Sequence, residues 1–251
     1  MFSGEARSCR KLCRDSTGLL PQVHQARFKL FAMTISASPQ RLILVAALWL
    51  WCTALLFYRN DLTSHRIGWF LLWNLLLASV PLVWSAGFKS AIEAKRPAWA
   101  ALCFGLWLLF LPNAPYILTD LIHLKPQADV PLWVSLALLL SFAGAGTLLG
   151  YLSLVTVHRA VEKRFGGISG WLTVGCSLLL CGFGIYVGRF LRWNSWDMMT
   201  RPLALLRSLA GQFVDVGPHP HPVPVTLVFG GGLLLGYLAL RVISGAMQVA
   251  D

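Results

Sequence analysis

Apolar residues run along this chain in six blocks, at 42–58, 67–88, 98–111, 131–157, 168–191 and 223–243. A bilayer core needs about 20 residues at about 1.5 Å rise each, so these blocks read as helices that cross a membrane. None carries Asp, Glu, Lys or Arg in its middle, so no charged relay is placed at mid-bilayer. The predicted fold is all-α: a polytopic transmembrane helix bundle with about six spans. A basic, irregular arm precedes it at 1–40, one transmembrane domain covers 41–245, and a short tail closes the chain at 246–251. The arm lacks the apolar core of a signal peptide, and Met33 offers an alternative start just ahead of Arg41.

The third block breaks the pattern. Its 14 residues reach about 21 Å as a helix, too short for a core of about 30 Å. It runs into Leu111, Pro112, Asn113, Ala114, Pro115 and Tyr116. Two prolines remove two amide donors and free carbonyls one turn back, so a Pro-broken third helix is expected. Asn113 is expected to cap a new helix with Pro115 in its first turn. From there Tyr116, Thr119, Asp120 and His123 fall at i, i+3, i+4 and i+7, with Ile117, Leu118, Leu121, Ile122 and Leu124 on the remaining surface. Two readings stand. Asp120 orients His123 as a general base in a polar pocket, which makes these two the catalytic candidates. Alternatively, the polar face of an interfacial turn meets water or caps neighbouring helices. An Asp-x-x-His pair supplies too few ligands for a metal, and no cofactor is implied.

A second polar run ends the fifth block: Arg189, Phe190, Leu191, Arg192, Trp193, Asn194, Ser195, Trp196 and Asp197. Arg189 and Arg192 lie one turn apart at a helix C-terminus, where cations complement the dipole. Trp193 and Trp196 suit the headgroup belt, and Asn194 or Ser195 can cap the next helix with Asp197 in its first turn. If the two runs meet, both guanidiniums face Asp120, His123 and Asp197. They could then grip a phosphate or carboxylate while the tryptophans flank a lipid chain. Equally, the Arg–Asp pairs could simply tie the third and fifth helices together. Beyond Pro202, the stripe Leu203, Leu206, Ala210 and Phe213 predicts an amphipathic helix on the outer membrane surface. His219 and His221 alternate with prolines and read as a rigid turn rather than a metal site.

Composition supports the membrane reading. Of 251 residues 57% are hydrophobic and 12% charged, about half the charge of an ordinary soluble domain. The net charge of +11 would suggest nucleic acid in a soluble protein. Here the cations flank apolar blocks, so the partner is the bilayer and nucleic acid is excluded. With the N-terminus inside, 14 Lys and Arg fall on the cytoplasmic side and seven outside. Both termini are therefore expected in the cytoplasm. Without the arm, Arg41 excepted, the count is eight against seven, and the short, dense loops still point the same way. Cys52, Cys103, Cys176 and Cys181 lie in apolar blocks and should pack as small hydrophobes. Cys9 and Cys13 in the arm lack further ligands at metal-binding spacing. Glycines recur four apart at 146 and 150, 184 and 188, and 232 and 236. Close packing within the chain is the first reading of these pairs, and a homo-oligomer formed through Gly-rich faces the second.

The segments LPNAPYILTDLIHL (111–124) and GRFLRWNSWD (188–197) resemble the signature segments of the bacterial domain-of-unknown-function family 1361, a family of multi-pass membrane proteins. The resemblance spans roughly 42–243. It implies a bacterial inner-membrane protein and singles out Asn113, Asp120, His123, Arg189, Arg192, Asn194 and Asp197, to which Tyr116 is added from its spacing. It implies no activity. Besides a purely structural or scaffolding role, three functions stay open: binding an anionic small molecule or lipid headgroup at an outward-facing polar site, an enzyme acting on a lipid-linked substrate, or a small transporter. Against the last stand the missing mid-membrane charges and the absence of a visible repeat.

Overall fold

The computed structural model describes residues 39–62, 68–124, 130–193, 200–214 and 221–249, without the side chains of His123, Leu206, 210–214 and 244–249. The expectations for the arm, Cys9, Cys13, Met33, Asn194, Ser195, Trp196, Asp197 and His219 fall outside the described residues. The chain divides into compact units 1–42 and 43–251, and of the first only the opening turn of a helix is described. Among the described residues there is no strand.

Six helices are long and apolar enough to cross a membrane. They are α1 (Pro39–Asp61), α2 (Trp69–Glu93), a third span that opens with α3 (Pro97–Phe110), α5 (Leu132–Phe165), α6 (Gly167–Arg189) and α8 (Pro222–Val249). The third span does not stop after its 14 residues of α3. It continues through the short α4 (Asn113–Tyr116) and a 3-10 helix (Ile117–His123), so the apolar stretch runs Pro97–Ile122. The fourth block also outruns its predicted end at 157. At 34 residues α5 is about 51 Å long, well beyond a core of about 30 Å.

Short turns hold neighbouring helices antiparallel. A single residue, Gly166, separates α5 from α6, and its φ of +93° is a conformation that a Cβ would strain. Between α2 and α3, Lys95 takes the left-handed conformation while the Arg96 N–H reaches back to the Ala91 carbonyl at 2.9 Å. That bond closes the end of α2, and Pro97 opens α3, where its missing N–H is not needed.

α5 and α6 form the centre, each with 39% of its span buried, whereas α1 buries 11%. α5 packs on α2 and α6, α8 packs on α6, and α2 packs on α3. Lipid is as apolar as leucine, so these contacts rest on close approach and interhelical hydrogen bonds rather than on hydrophobic burial. Trp107 on α3 donates to Ser153 Oγ on α5 at 3.0 Å, and Trp49 on α1 donates to Ser79 Oγ on α2 at 3.2 Å. Tyr151 on α5 donates to the Leu233 carbonyl on α8 at 2.8 Å, passing over Gly236. Large apolar side chains such as Leu50, Trp133 and Val228 point outward. A surface of this kind is a lipid face.

The amphipathic helix is present as α7 (Pro202–Val214); of its predicted stripe, the side chains of Leu206, Ala210 and Phe213 lie outside the described residues. Leu205 is buried and Leu209 half-buried against Tyr186, Val187 and Phe190 at the end of α6, while Leu203 is exposed. Leu205 and Leu209 thus dock this helix on the end of α6. Cys52, Cys103 and Cys181 are buried as small hydrophobes; Cys176 is exposed.

Candidate functional site

The site begins with the two prolines. Pro112 leaves the Leu108 carbonyl without its usual donor, and Pro115 does the same to Leu111. Ala114 N–H turns to the Leu111 oxygen at 3.1 Å, three residues back instead of four. That shift deprives the Phe110 carbonyl, and Asn113 Nδ2 fills the gap at 3.1 Å. Asn113 is therefore not an N-cap: Pro112 holds that position, and the amide repairs the break from inside the first turn. The chain then tightens into the 3-10 helix, so the α-helical face predicted for Tyr116, Thr119, Asp120 and His123 does not form as such. Thr119 donates to the Tyr116 carbonyl at 2.7 Å. Thr119 and Asp120 are 6% and 4% exposed, while Ile122 is 70% exposed. The polar side chains face into the bundle instead of into water.

Glycines make room for this segment. A Cβ at Gly146 would run into the Ala114 carbonyl, and one at Gly150 would lie 2.9 Å from Ala114 Cβ. On α6, Gly184 faces Pro112, and a Cβ at Gly188 would lie 3.1 Å from the Tyr116 ring. Two of the glycine pairs therefore clasp the broken helix from α5 and α6, within one chain. In the third pair Gly236 faces Tyr151, and Gly232 has nothing within 4 Å.

Clasping brings the two polar runs together. Arg189, the last residue of α6, pairs with Asp120 at 3.2 Å, and Asn74 on α2 donates to the other carboxylate oxygen at 3.4 Å. Asp120 thus joins three spans. Asn74 was missed from sequence, although a lone amide inside an apolar block was its signal. Beside the carboxylate lies a cavity of about 860 Å³. Its walls are helical stripes: Phe70, Trp73, Asn74 and Leu77 on α2, Gly105, Leu108 and Leu109 on α3, and Leu180, Phe183, Gly184, Val187 and Gly188 on α6. Pro112, Asn113, Tyr116, Asp120 and Trp193 close one end. Phe70, Trp73 and Leu180 are about half exposed, so the rim opens sideways onto the lipid face.

Of the predicted site residues, Asn113, Tyr116 and Asp120 line this cavity, and Arg189 pairs with Asp120 without being part of the wall. Arg192 does not join Arg189. The helix ends at Arg189, and Arg192 adopts φ +57°, turning the chain so that the Trp193 N–H reaches the Val187 carbonyl at 3.3 Å. Trp193 thereby enters the cavity wall and Arg192 is exposed. Asn194 and Asp197 lie outside the described residues, as does the His123 side chain. Among the described residues no three His, Cys, Asp or Glu side chains converge as metal ligands. His221 Nδ1 instead accepts the Val223 N–H at 3.3 Å and steadies the start of α8.

Apolar helices with a lipid-facing exterior and a lateral cavity define a multi-pass membrane protein. The chain belongs to the family described as Protein of unknown function (DUF1361), which it matches over residues 73–235. That stretch holds every cavity residue named above except Phe70. No curated protein and no solved structure matches the chain.

Proposed function

We propose that this protein binds an amphipathic lipid, its chain in the groove between α2, α3 and α6 and its headgroup at Asn74, Asn113, Tyr116 and Asp120. The observation that carries this reading is the cavity itself: about 860 Å³, apolar along most of its length, polar at one end and open sideways at an aromatic rim. Ligand pockets combine an apolar lining with a few converging polar groups in this way. A sideways opening favours a ligand that arrives through the bilayer. The family resemblance implies the bacterial inner membrane and the charge count favours both termini in the cytoplasm, which together put the polar end at the outer face.

Gly105 provides the test. It lines the groove, and a Cβ there meets nothing within 4 Å, so the side chain of Gly105→Phe starts in open space beside the groove. Native mass spectrometry of the protein released from mild detergent should show a retained lipid that this variant loses, with melting unchanged. Equal lipid retention by both proteins would sink the proposal.

A further inference from the structure

Resting on the lipid-groove reading, we infer that the headgroup taken there is an uncharged polyol, such as the sugar of a glycolipid, rather than a phosphate. Arg189 is engaged by Asp120 and is not part of the cavity wall. The described wall residues that carry polar groups are Asp120 with its carboxylate, Asn74 and Asn113 with their amides, Tyr116 with its phenol, and Trp73 and Trp193 with their indole N–H groups. A carboxylate accepts hydrogen bonds and repels a phosphate, whereas hydroxyl groups donate to it. Side-chain amides both donate and accept, matching the two faces of a hydroxyl. With Asp120 paired to Arg189, an uncharged headgroup enters without adding a third charge at low dielectric. Tyr116 and Trp193 supply aromatic surface at the same end, against which the C–H face of a sugar ring can lie.

The test uses the full chain in phosphatidylcholine nanodiscs doped with small, equal fractions of a glucosyl diacylglycerol and a phosphatidylglycerol of matched chains. Lipids still bound after release are weighed by native mass spectrometry. The wild type should retain the glycolipid over phosphatidylglycerol by about tenfold or more, the worth of one net hydrogen bond. Asn74→Leu should erase that preference while retaining lipid, and Gly105→Phe should retain neither. Preference for phosphatidylglycerol, or no preference, in a wild type whose lipid Gly105→Phe removes would overturn the headgroup assignment and leave the groove standing. Identical retention by wild type and Gly105→Phe would remove the groove and this inference together. Methyl glucoside in excess should fail to displace the glycolipid; displacement would make the ligand a soluble sugar and overturn the assignment to a lipid.

Discussion

Polar side chains are buried at both ends of this bundle, and at one of them a cavity lies beside the buried groups. At the end away from the groove, His158 on α5 is wholly buried, with Nδ1 2.7 Å from the Tyr237 hydroxyl on α8. Trp171 on α6 lies against its ring at 4.9 Å between centroids, and Arg241 sits over that indole at 5.9 Å. A Cβ on Gly170 would come within 2.9 Å of His158, so the ring is packed closely on that side. At the groove end, Asp120 likewise joins three spans, yet its carboxylate borders about 860 Å³ of open space. The lesson is that burial and hydrogen bonding of a polar group inside a membrane bundle do not separate a clamp from a binding site. Adjoining volume does.

Five substitutions would break or sharpen that contrast. The largest effect is expected for Arg189→Ala, which strands the buried Asp120 charge and should destabilise by about 3–5 kcal/mol. Adding Asp120→Asn should recover most of that loss, which an unfolding titration of the single and double variants would reveal. At the other end, Gly170→Val forces methyl groups against His158 and should lose about 1–3 kcal/mol, with lipid retention untouched. A retention change in this variant would mean that the two ends are coupled. Tyr237→Phe removes one hydrogen bond from His158 and should lower stability by about 0.5–1.5 kcal/mol, checked by the same titration. Smallest of all, Gly105→Ala adds one methyl group in open space and should shift stability by less than about 0.5 kcal/mol. A larger loss by thermal melt would show that the groove wall is less open than its geometry indicates.

Local pattern carried the spans and the break. Apolar runs of bilayer length and a Pro-x-x-Pro step act within one or two turns, and the helices and the interrupted third span follow from them. The family is legible in the same two polar runs. Asn113 was legible as important but not in its role, because a missing cap and a missing mid-helix donor call for the same amide. Its side chain went to the Phe110 carbonyl once Ala114 had shifted to Leu111. Arg192 looked equivalent to Arg189 on the assumption that the helix continued for one more turn. It ends at Arg189, and three positions later Arg192 turns the chain in the left-handed conformation with its side chain exposed.

Asn74 and His158 show the other limit. Each is one polar residue in an apolar helix, and nothing local says which helix it will meet. The sequence by itself determined the number of spans, the site of the break and the residues capable of polar contact, because those depend on hydrogen bonds and hydropathy along a single helix. Only the tertiary structure decided that glycines on α5 and α6 clasp the broken segment, that Arg189 and Asn74 share Asp120, and that space remains beside it. The two Asp120 contacts join residues 46 and 69 positions apart in the chain, and the close approach of whole helices sets them.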